Sequence, residues 1–526
     1  MASRYTEVEI EYDIDVVDIN DDAVVSDMNY ESNQWGYFTT NPTFVISFAT
    51  AHSLPGLSIH FANENAKSIM VKWNINGVLM ARIYQVTSVN CMIFQAVENC
   101  LGITIEVLAA KPYSKVDILS VDYGIKFLWD KNCVKNATLV LETDRISERM
   151  SVNTLTFDII DPGNELDAGN PSGLYQYLKK RKRIIPYERI DNRRIQLGNF
   201  FLESFNSEKN LCHITAVSYM GLFGGVMFDK GGIYNGVQAS VVLHDIFDVM
   251  GITSYSIDID TVNQLLYGTI EPCTCRDALQ QVLFACHSII DSSNPQFVHV
   301  FKSASGTYSE LTREEKFSTK VTRQDYVSGI KINYSQYSLG QDTEDVVNDL
   351  FDDGVHHITF DTGHANYTIS GGTLIDSGVY FVEFSVTGVS QQVVITANTY
   401  ESIQYNVQIQ TQDTGEDENI KEYTTTLCNN VTARTLAGKL LRYFSNQFEI
   451  QVKYLANDVN TNKKLLIQNA VDGLADYIGM CTSRTLDLTG GFIDDATYIG
   501  YYDNDSSTYF ITNQGDDIIP DDNIIL

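Results

Sequence analysis

Short runs of β-branched and aromatic residues, separated by turn residues, recur from the N-terminus and restrict the chain to a β-rich fold. Phe44–Phe48, Ser68–Trp73 and Gly102–Val107 are three such runs, and several strands at short spacing are typical of a β-sandwich. Asn74–Gly77 separates two of the runs. It predicts a tight hairpin turn, because Asn and Gly tolerate the positive φ that such turns need.

The strand pattern continues beyond this region and is interrupted by three amphipathic helices. Ala137–Glu142 and Thr154–Ile160 are predicted strands. Apolar residues at helical spacing follow Ala239, Thr274 and Thr432, so we expect a helix at each. Gly251 provides a C-terminal stop for the first helix, and Thr274-Cys-Arg-Asp277 resembles a capping box for the second.

The second half of the chain returns to strands. Val327–Asn333, Val379–Val386 and Gln391–Thr396 are predicted strands. The acidic, glycine-containing stretches 339–354 and 412–422 are predicted to be exposed loops or a small inserted edge.

The chain is strongly acidic, with 67 Asp and Glu against 36 Lys and Arg and a formal net charge of −31. Such a surface repels nucleic acid. It argues against DNA binding, yet it suits the wall of a conduit through which DNA slides without sticking. An acidic surface that only keeps the protein soluble is the plainer alternative.

The termini and cysteines give no sign of export. No apolar stretch has the length of a signal peptide or membrane span, so we expect synthesis in a reducing cytoplasm. Nine cysteines are an odd number in a chain of 526 residues, and we interpret them as buried thiols. At this length several domains are expected.

Residue patterns that carry enzyme or metal chemistry are weak or missing. His356, His357 and His364 have no zinc spacing and are interpreted as a polar loop cluster. Cys273, Cys275, Cys286 and His287 form a better candidate, but two of these thiols fall on an apolar helix stripe, which favours core packing. Asp503-Asn-Asp-Ser-Ser lacks the glycine and glutamate of a calcium loop. The chain has no catalytic-serine elbow, phosphate-binding loop or zinc-protease motif, so we predict no enzyme, no cofactor and no metal.

One basic run and the C-terminal residues are the candidate contact sites. The basic run is interpreted as a contact with an acidic neighbouring surface, with a solvated helix end as the alternative. The C-terminal residues close an acidic tail that either is disordered or docks on a neighbour. The candidate residues are Lys179, Lys180, Arg181, Lys182, Arg183, Ile524, Ile525 and Leu526.

The three tryptophans all lie in the N-terminal region. Trp35, Trp73 and Trp129 would suit a sugar-binding platform, since aromatic faces stack on sugar rings. Core packing explains each of them more economically.

An ordered series of motifs resembles the tail hub or tail-tip proteins of phages of Gram-positive bacteria and related phage-like particles. Their core is similar to the T4 baseplate hub. The motifs span roughly residues 5 to 500 and are Ile118–Ile125, Ser151–Ile159, Asn170–Leu178, Leu197–Glu203, Gly232–Gly236, Ile270–Gln281 and Leu486–Phe492.

The resemblance implies a mainly β fold with α+β parts: an N-terminal jelly-roll sandwich and two tail-tube-like β-barrels with helical or mixed insertions. The expected divisions are an N-terminal region with the jelly roll (1–130), a first barrel (131–231), an α/β connecting domain (232–318), a second barrel (319–430), an α+β segment that completes the hub (431–500) and an acidic tail (501–526).

The resemblance also implies a role. The chain is expected to be a structural hub, a homotrimeric ring adaptor that joins the tail tube or distal tail proteins to a central spike or fibre. The tape measure protein would be a further partner, and DNA would pass through the lumen without specific binding. The location is the virion tail tip, or baseplate, assembled in the bacterial host cytoplasm. A glycan-binding host-recognition adhesin on the same scaffold is the alternative, and a cell-wall hydrolase is a more distant one.

Overall fold

The computed structural model describes residues 6–14, 16–190, 193–292, 298–302, 309–411, 419–455, 464–471 and 475–503. Strands hold 58% of the residues and helices 11%, so the prediction of a mainly β fold with α+β parts is confirmed. In these ranges no helix is long and apolar enough to cross a membrane. The chain forms two compact units, Met1–Asn136 with Phe157–Ala216, and Ala137–Thr156 with Val217–Leu526. The finer six-part division stays a prediction.

The first unit is built from strands and one turn of 3-10 helix, Leu174–Tyr177. Strands β11, β12 and β16 contain the residues at which the chain passes between the units. The strands are β1 (Thr6–Ile14), β2 (Asp22–Asp27), β3 (Thr43–Leu54), β4 (Leu57–Phe61), β5 (Ala66–Ile75), β6 (Val78–Gln85), β7 (Asn90–Ile93), β8 (Val97–Ala110), β9 (Ile118–Asp122), β10 (Ile125–Trp129), β11 (Val134–Glu142), β12 (Thr154–Ile160), β13 (Arg183–Ile190), β14 (Arg193–Gln196), β15 (Phe200–Glu208) and β16 (Leu211–Val217).

Two antiparallel sheets in this unit share one hydrophobic core. The first has the order β2-β3-β8-β5-β6 and the second β7-β4-β9. Phe61, Ile69 and Trp73, each at most 1% exposed, belong to the shared core. Alternate residues of a strand point to opposite faces, so one face of each sheet fills this core. The jelly-roll topology within this arrangement stays a prediction.

The hairpin turn between β5 and β6 is confirmed. Asn76 and Gly77 have φ values of 48° and 87°, the left-handed region that a two-residue hairpin requires at both positions. The Asn74 side chain also accepts a hydrogen bond from the Gly77 amide at 2.9 Å.

The prediction that all three tryptophans pack in the core is wrong for Trp35. Trp73 and Trp129 are buried, but Trp35 is 73% exposed. It lies in a turn in which the Asn33 side chain accepts hydrogen bonds from the amides of Trp35 and Tyr37, at 2.8 and 3.1 Å. No sheet face is available to such a turn, so its indole stays in solvent.

The first unit also contributes a run of neighbouring strands to a larger sheet, in the order β10-β1-β13-β15-β16-β12, with β14 on β13. Strand β1 lies between β10 and β13 and pairs antiparallel with both. Tyr12 stacks with Trp129 at a ring-centroid distance of 6.0 Å, and Phe127 and Phe157 also contact the indole. The central position of β1 fixes the side chains of its two faces.

The second unit combines strands with the helices of the chain. Its elements are α1 (Tyr219–Phe223), β17 (Met227–Phe228), β18 (Ile233–Gln238), α2 (Ala239–Val249), β19 (Tyr255–Ile257), α3 (Ile259–Val262), β20 (Leu265–Thr269), β21 (Cys273–Thr274), α4 (Cys275–Cys286), β22 (Ser288–Asp291), β23 (Val298–Lys302), β24 (Ser309–Leu311), β25 (Lys316–Arg323), β26 (Gly329–Phe351), β27 (Gly354–Thr359), β28 (His364–Ser370), β29 (Thr373–Ser377), β30 (Phe381–Val386), β31 (Gln391–Gln410), β32 (Ile420–Thr425), α5 (Asn430–Phe444), β33 (Phe448–Leu455), β34 (Lys464–Val471), β35 (Ala475–Asp487) and β36 (Ile493–Asp503).

The three predicted helices are confirmed as α2, α4 and α5, and their apolar faces share one core. Helix α2 is followed by Gly251 at φ 67°, the expected C-terminal stop. At the start of α4 the Thr274 hydroxyl accepts a hydrogen bond from the Asp277 amide at 3.2 Å. Asn429 and Thr432 form a capping box for α5, which ends at Phe444.

Of the two alternatives for 339–354, the loop is wrong. These residues continue strand β26 as far as Phe351, and β26 pairs with β31 along most of its length. Beyond Tyr334, β26 pairs with β31 alone among the described strands, so this polar and acidic stretch is an edge strand, in agreement with the inserted-edge alternative. Of the second predicted loop, residues 412–418 lie outside the described residues, and β32 begins at Ile420.

Candidate interaction surfaces

Strand β1 carries a ladder of carboxylates. Its sequence alternates, so that Glu7, Glu9, Glu11 and Asp13 point to one face and the apolar residues between them fill the core. Glu9, Glu11 and Asp13 are only 6 to 7% exposed. Buried carboxylates need counter-charges, so this face must be covered by cations.

The cations come from strands distant in sequence. Arg194 contacts both Glu9 and Glu11, and Arg189 lies 3.8 Å from Glu9. Burial opposes the charge of Arg194, but Glu11 and Glu9 more than offset it and raise the pKa of the guanidinium. The ladder therefore joins β1 to β13 and β14 by charge as well as by backbone pairing.

Arg194 is the cation that holds two buried carboxylates, so we expect Arg194→Met to destabilise the first unit by about 2 kcal/mol, the scale of a lost charged hydrogen bond. Arg193→Met, at the exposed neighbouring position, is the matched control and should cost less than about 0.5 kcal/mol. The measurement is urea unfolding followed by tryptophan fluorescence, since all three tryptophans lie in this unit. Equal losses for the two variants would contradict a role of the ladder in stability.

The predicted basic run is a turn between the 3-10 helix and β13. The Tyr12 hydroxyl accepts a hydrogen bond from the Lys179 amide at 2.6 Å and donates to the Tyr177 carbonyl at 3.0 Å. Arg183 Nη2 lies 2.7 Å from the Asp13 carboxylate, whereas Lys180 and Arg181 are exposed. The contact of this run with a partner stays a prediction, and Ile524, Ile525 and Leu526 lie outside the described residues.

A pocket of about 390 Å³ lies beside the ladder, within the first unit. Its charged lining residues balance, with three carboxylates, Glu9, Glu11 and Asp122, against three cations, Lys126, Arg189 and Arg194. His60 supplies the only ring among the residues that line it. The pocket is suited to a small, polar, uncharged molecule, but it lacks the aromatic face on which a sugar would stack.

A two-stranded ribbon in the second unit is the other feature of note. The ribbon is defined here by five residue pairs, in which Ser335–Leu339 of β26 lies opposite Tyr400–Gln404 of β31. Before the ribbon β26 also pairs with β32, and after it β31 also pairs with β28. Within the ribbon Ile403 is 57% exposed and Leu339 36% exposed, and they lie on opposite faces. Each ribbon face thus exposes an apolar side chain to solvent, while Tyr337, on the face of Leu339, is half-buried.

The ribbon leads to a small lobe, residues 343–399, with its own core. The lobe consists of the outer parts of β26 and β31 with β28, and of the sheet β27-β30-β29. Val382, Phe384 and Ile395 are fully buried in its core. Sequence reasoning missed this lobe because it interpreted the acidic part of β26 as an exposed loop or a small inserted edge.

The predicted polar loop cluster of histidines is wrong. His356 and His357 lie within β27, and His364 begins β28 and is buried. The alternating pattern of these strands places histidines in a sheet rather than a loop. Cys275, Cys286 and His287 are buried around α4, in agreement with core packing. Among the described residues no three His, Cys, Asp or Glu side chains are arranged to hold a metal ion.

One His–Asp contact superficially resembles a hydrolase relay. His52 Nε2 lies 2.8 Å from Asp21 and 3.2 Å from the Thr50 hydroxyl, which itself donates to Asp21 at 2.8 Å. In a catalytic triad the nucleophile and the carboxylate use different ring nitrogens. Here both contact Nε2, so this arrangement does not relay a proton from the hydroxyl.

Neither a protein-family model nor a curated protein matches the sequence. Among solved structures, a tail protein from Neisseria meningitidis MC58 is similar with a TM-score of 0.43 at 8% identity, covering 82% of this chain and 96% of that one. The 43 kDa tail protein of prophage MuSo2 from Shewanella oneidensis gives 0.41 at 8% identity, covering 82% and 98%. Prophage tail protein gp18 from Listeria monocytogenes EGD-e gives 0.38 at 9% identity, covering 74% and 93%. At these values the likeness does not decide the function, which has to follow from the surfaces.

Proposed function

We propose that this chain is the structural hub of a phage-type tail tip or baseplate. As a homotrimeric ring adaptor it joins the tail tube and distal tail proteins to a central spike or fibre, contacts the tape measure protein, and forms part of the DNA conduit in the virion. It assembles in the bacterial host cytoplasm and catalyses no reaction.

The observation that carries the proposal is the uncovered ribbon. A two-stranded hairpin is marginally stable in water by itself, and an apolar side chain on each face adds a reason for burial. Neighbouring copies in a ring would bury these faces.

Two further features support assembly. The edge strands β2 and β6 of the five-stranded sheet expose apolar side chains, with Val25 67% and Leu79 66% exposed, and such edges are normally protected or paired. The net charge of −31 suits a lumen wall that does not hold DNA. The series of motifs given above is typical of hub proteins and agrees with this role.

The test is whether the chain forms rings and belongs to tail particles. We expect native mass spectrometry of the full chain to give three copies, electron microscopy to show threefold rings, and an antibody to the chain to label the tip of tails produced by the source strain. A chain that stays monomeric at tens of micromolar and is missing from purified tails would overturn the proposal.

A glycan-binding adhesin is the second candidate, and the charge-balanced pocket beside the ladder is the observation that favours it. A sugar would be held there by hydrogen bonds alone, since the pocket offers no aromatic face for stacking. A glycan array probed with the full chain tests this role. Binding that is lost in Asn90→Ala, a pocket-lining substitution, would support the adhesin, whereas an array without binding would remove it.

A further inference from the structure

The charges of this chain are segregated between two segments. Residues 332–411, which include the ribbon and the lobe, contain ten Asp and Glu and no Lys or Arg. Residues 179–194 contain eight Lys and Arg and two Asp and Glu, which gives 8 − 2 = +6. Three of the eight cations, Arg183, Arg189 and Arg194, pair with carboxylates of β1. The charge that this segment can offer a partner therefore comes from the other cations, which include the exposed Lys180, Arg181 and Arg193.

The acidic segment presents an unpartnered sheet surface. On one ribbon face Ile403 lies opposite Gln336, and Tyr405, 42% exposed, follows on the same face and stacks on Tyr334 at 5.8 Å. The charges flank this apolar strip, since Glu401 and Asp342 are exposed at the outer end of the ribbon. An apolar centre with a charged rim is typical of a protein-binding surface.

The basic segment is held in place before any partner arrives. Two hydrogen bonds of the Tyr12 hydroxyl fix the backbone at Tyr177 and Lys179, and Tyr177 stacks on Phe94 at a centroid distance of 4.3 Å. Phe94 is 40% exposed. The exposed cations Lys180 and Arg181 thus lie near an aromatic pair on a fixed turn, which lowers the entropy lost on binding.

We propose that the ribbon and lobe of one copy dock on residues 179–190 and 193–194 of a second copy of this chain. Opposite charge attracts the two surfaces, and the aromatic pair packs against the apolar strip. Because the two surfaces differ, the contact is head-to-tail, the kind that closes into a ring when the rotation allows it. The inference rests on the ring assembly proposed above and names the surfaces that form it.

The experiment exchanges the charges of exposed residues. The basic-reversed variant carries Lys180→Glu, Arg181→Glu and Arg193→Glu, and the acid-reversed variant carries Asp342→Lys, Asp361→Lys and Glu401→Lys. Each is expected to weaken self-association of the full chain at least about tenfold, measured by sedimentation velocity in 50 mM salt. The matched control reverses three exposed lysines elsewhere in the first unit and should associate like the wild type. The control substitutions are Lys67→Glu, Lys115→Glu and Lys209→Glu.

Mixing the two variants separates contact between copies from contact within one chain. If docking joins two copies, a tagged basic-reversed chain captures the acid-reversed chain, although neither associates with itself. If association is restored only in a chain that carries both sets of substitutions, and not in the mixture, the two surfaces dock within one chain and the proposal is overturned. If both variants form the same rings as the wild type, this inference is overturned and the hub proposal stands. A wild-type chain without self-association overturns both.

Discussion

Arg484→Met is expected to lower the free energy of unfolding of the second unit by about 3–5 kcal/mol, the usual cost of breaking a buried ion pair from one side. Arg484 Nε donates to Asp494 Oδ2 at 2.7 Å, and Asp494 is 0% exposed. Burial opposes the charge of Arg484, but Asp494 more than offsets it and raises the pKa of the guanidinium. Removing Arg484 leaves a desolvated carboxylate.

The double variant Arg484→Met with Asp494→Leu separates charge from packing. It removes both charges at similar volume, so most of the lost stability should return. Arg323→Met, at an exposed position on β25, is the control and should cost less than about 1 kcal/mol. Arg484 lies on β35 and Asp494 on β36, two strands that pair antiparallel, and hydrogen exchange of their amides reports the opening of this pair. A double variant no more stable than Arg484→Met would show that the pair does not act through its charges.

Acidification is expected to destabilise the second unit through His287. The pKa of His287 is lowered from an ordinary value of 6.5 to about 3, chiefly by burial and in addition by the nearby cations Lys439 and Lys302. The unfolded chain therefore binds a proton that the folded chain rejects between pH 6.5 and pH 3. Stability is intact above pH 6.5 and falls by about 1.4 kcal/mol per pH unit below it. Between pH 6.5 and 4.5 the expected loss is about 2–3 kcal/mol.

His287→Asn tests this sign directly. Asn suits the left-handed backbone at this position, φ 50° and ψ 51°, and does not titrate. The stability difference between wild type and variant should shrink by about 2–3 kcal/mol as pH falls from 6.5 to 4.5, measured by denaturant unfolding at several pH values. His244→Gln, at an exposed position on α2, should leave the slope unchanged. Parallel pH profiles for wild type and His287→Asn would contradict the assignment.

The elements that local signals specify were predictable from the sequence. The Asn-Gly turn, the Gly251 stop and the Thr274 cap each depend on a few adjacent residues, and each is present in the structure. The alternation of β1 likewise predicts a strand, because its period matches the two faces of a sheet.

Features that depend on distant partners were not predictable. The cations of the β1 ladder come from distant positions of the chain, such as Arg194, which lies 183 positions from Glu11. The acidic part of β26 is a strand because β31 pairs with it, although its own residues have the composition of a loop. Trp35 shows the converse: a residue type typical of cores lies in a turn that has no core to enter.

The contact surfaces, too, were predictable from the sequence only in part. The basic run was evident from composition, but the hydrogen bonds from Tyr12 that fix it were not. The absence of Lys and Arg from residues 332–411 is a signal in the sequence that would have identified the acidic segment. What composition cannot show is that this segment folds as a ribbon that exposes an apolar side chain on each face.

The ribbon also determines how this protein can change over evolutionary time. Leu339 and Tyr400 lie opposite each other, so the segment between them begins and ends at one place in the fold. The lobe has a core separate from that of the helices. A recombination event could therefore replace the lobe with a different lobe, provided that the new residues also cover Thr269, whose buried hydroxyl lies 2.6 Å from that of Tyr380.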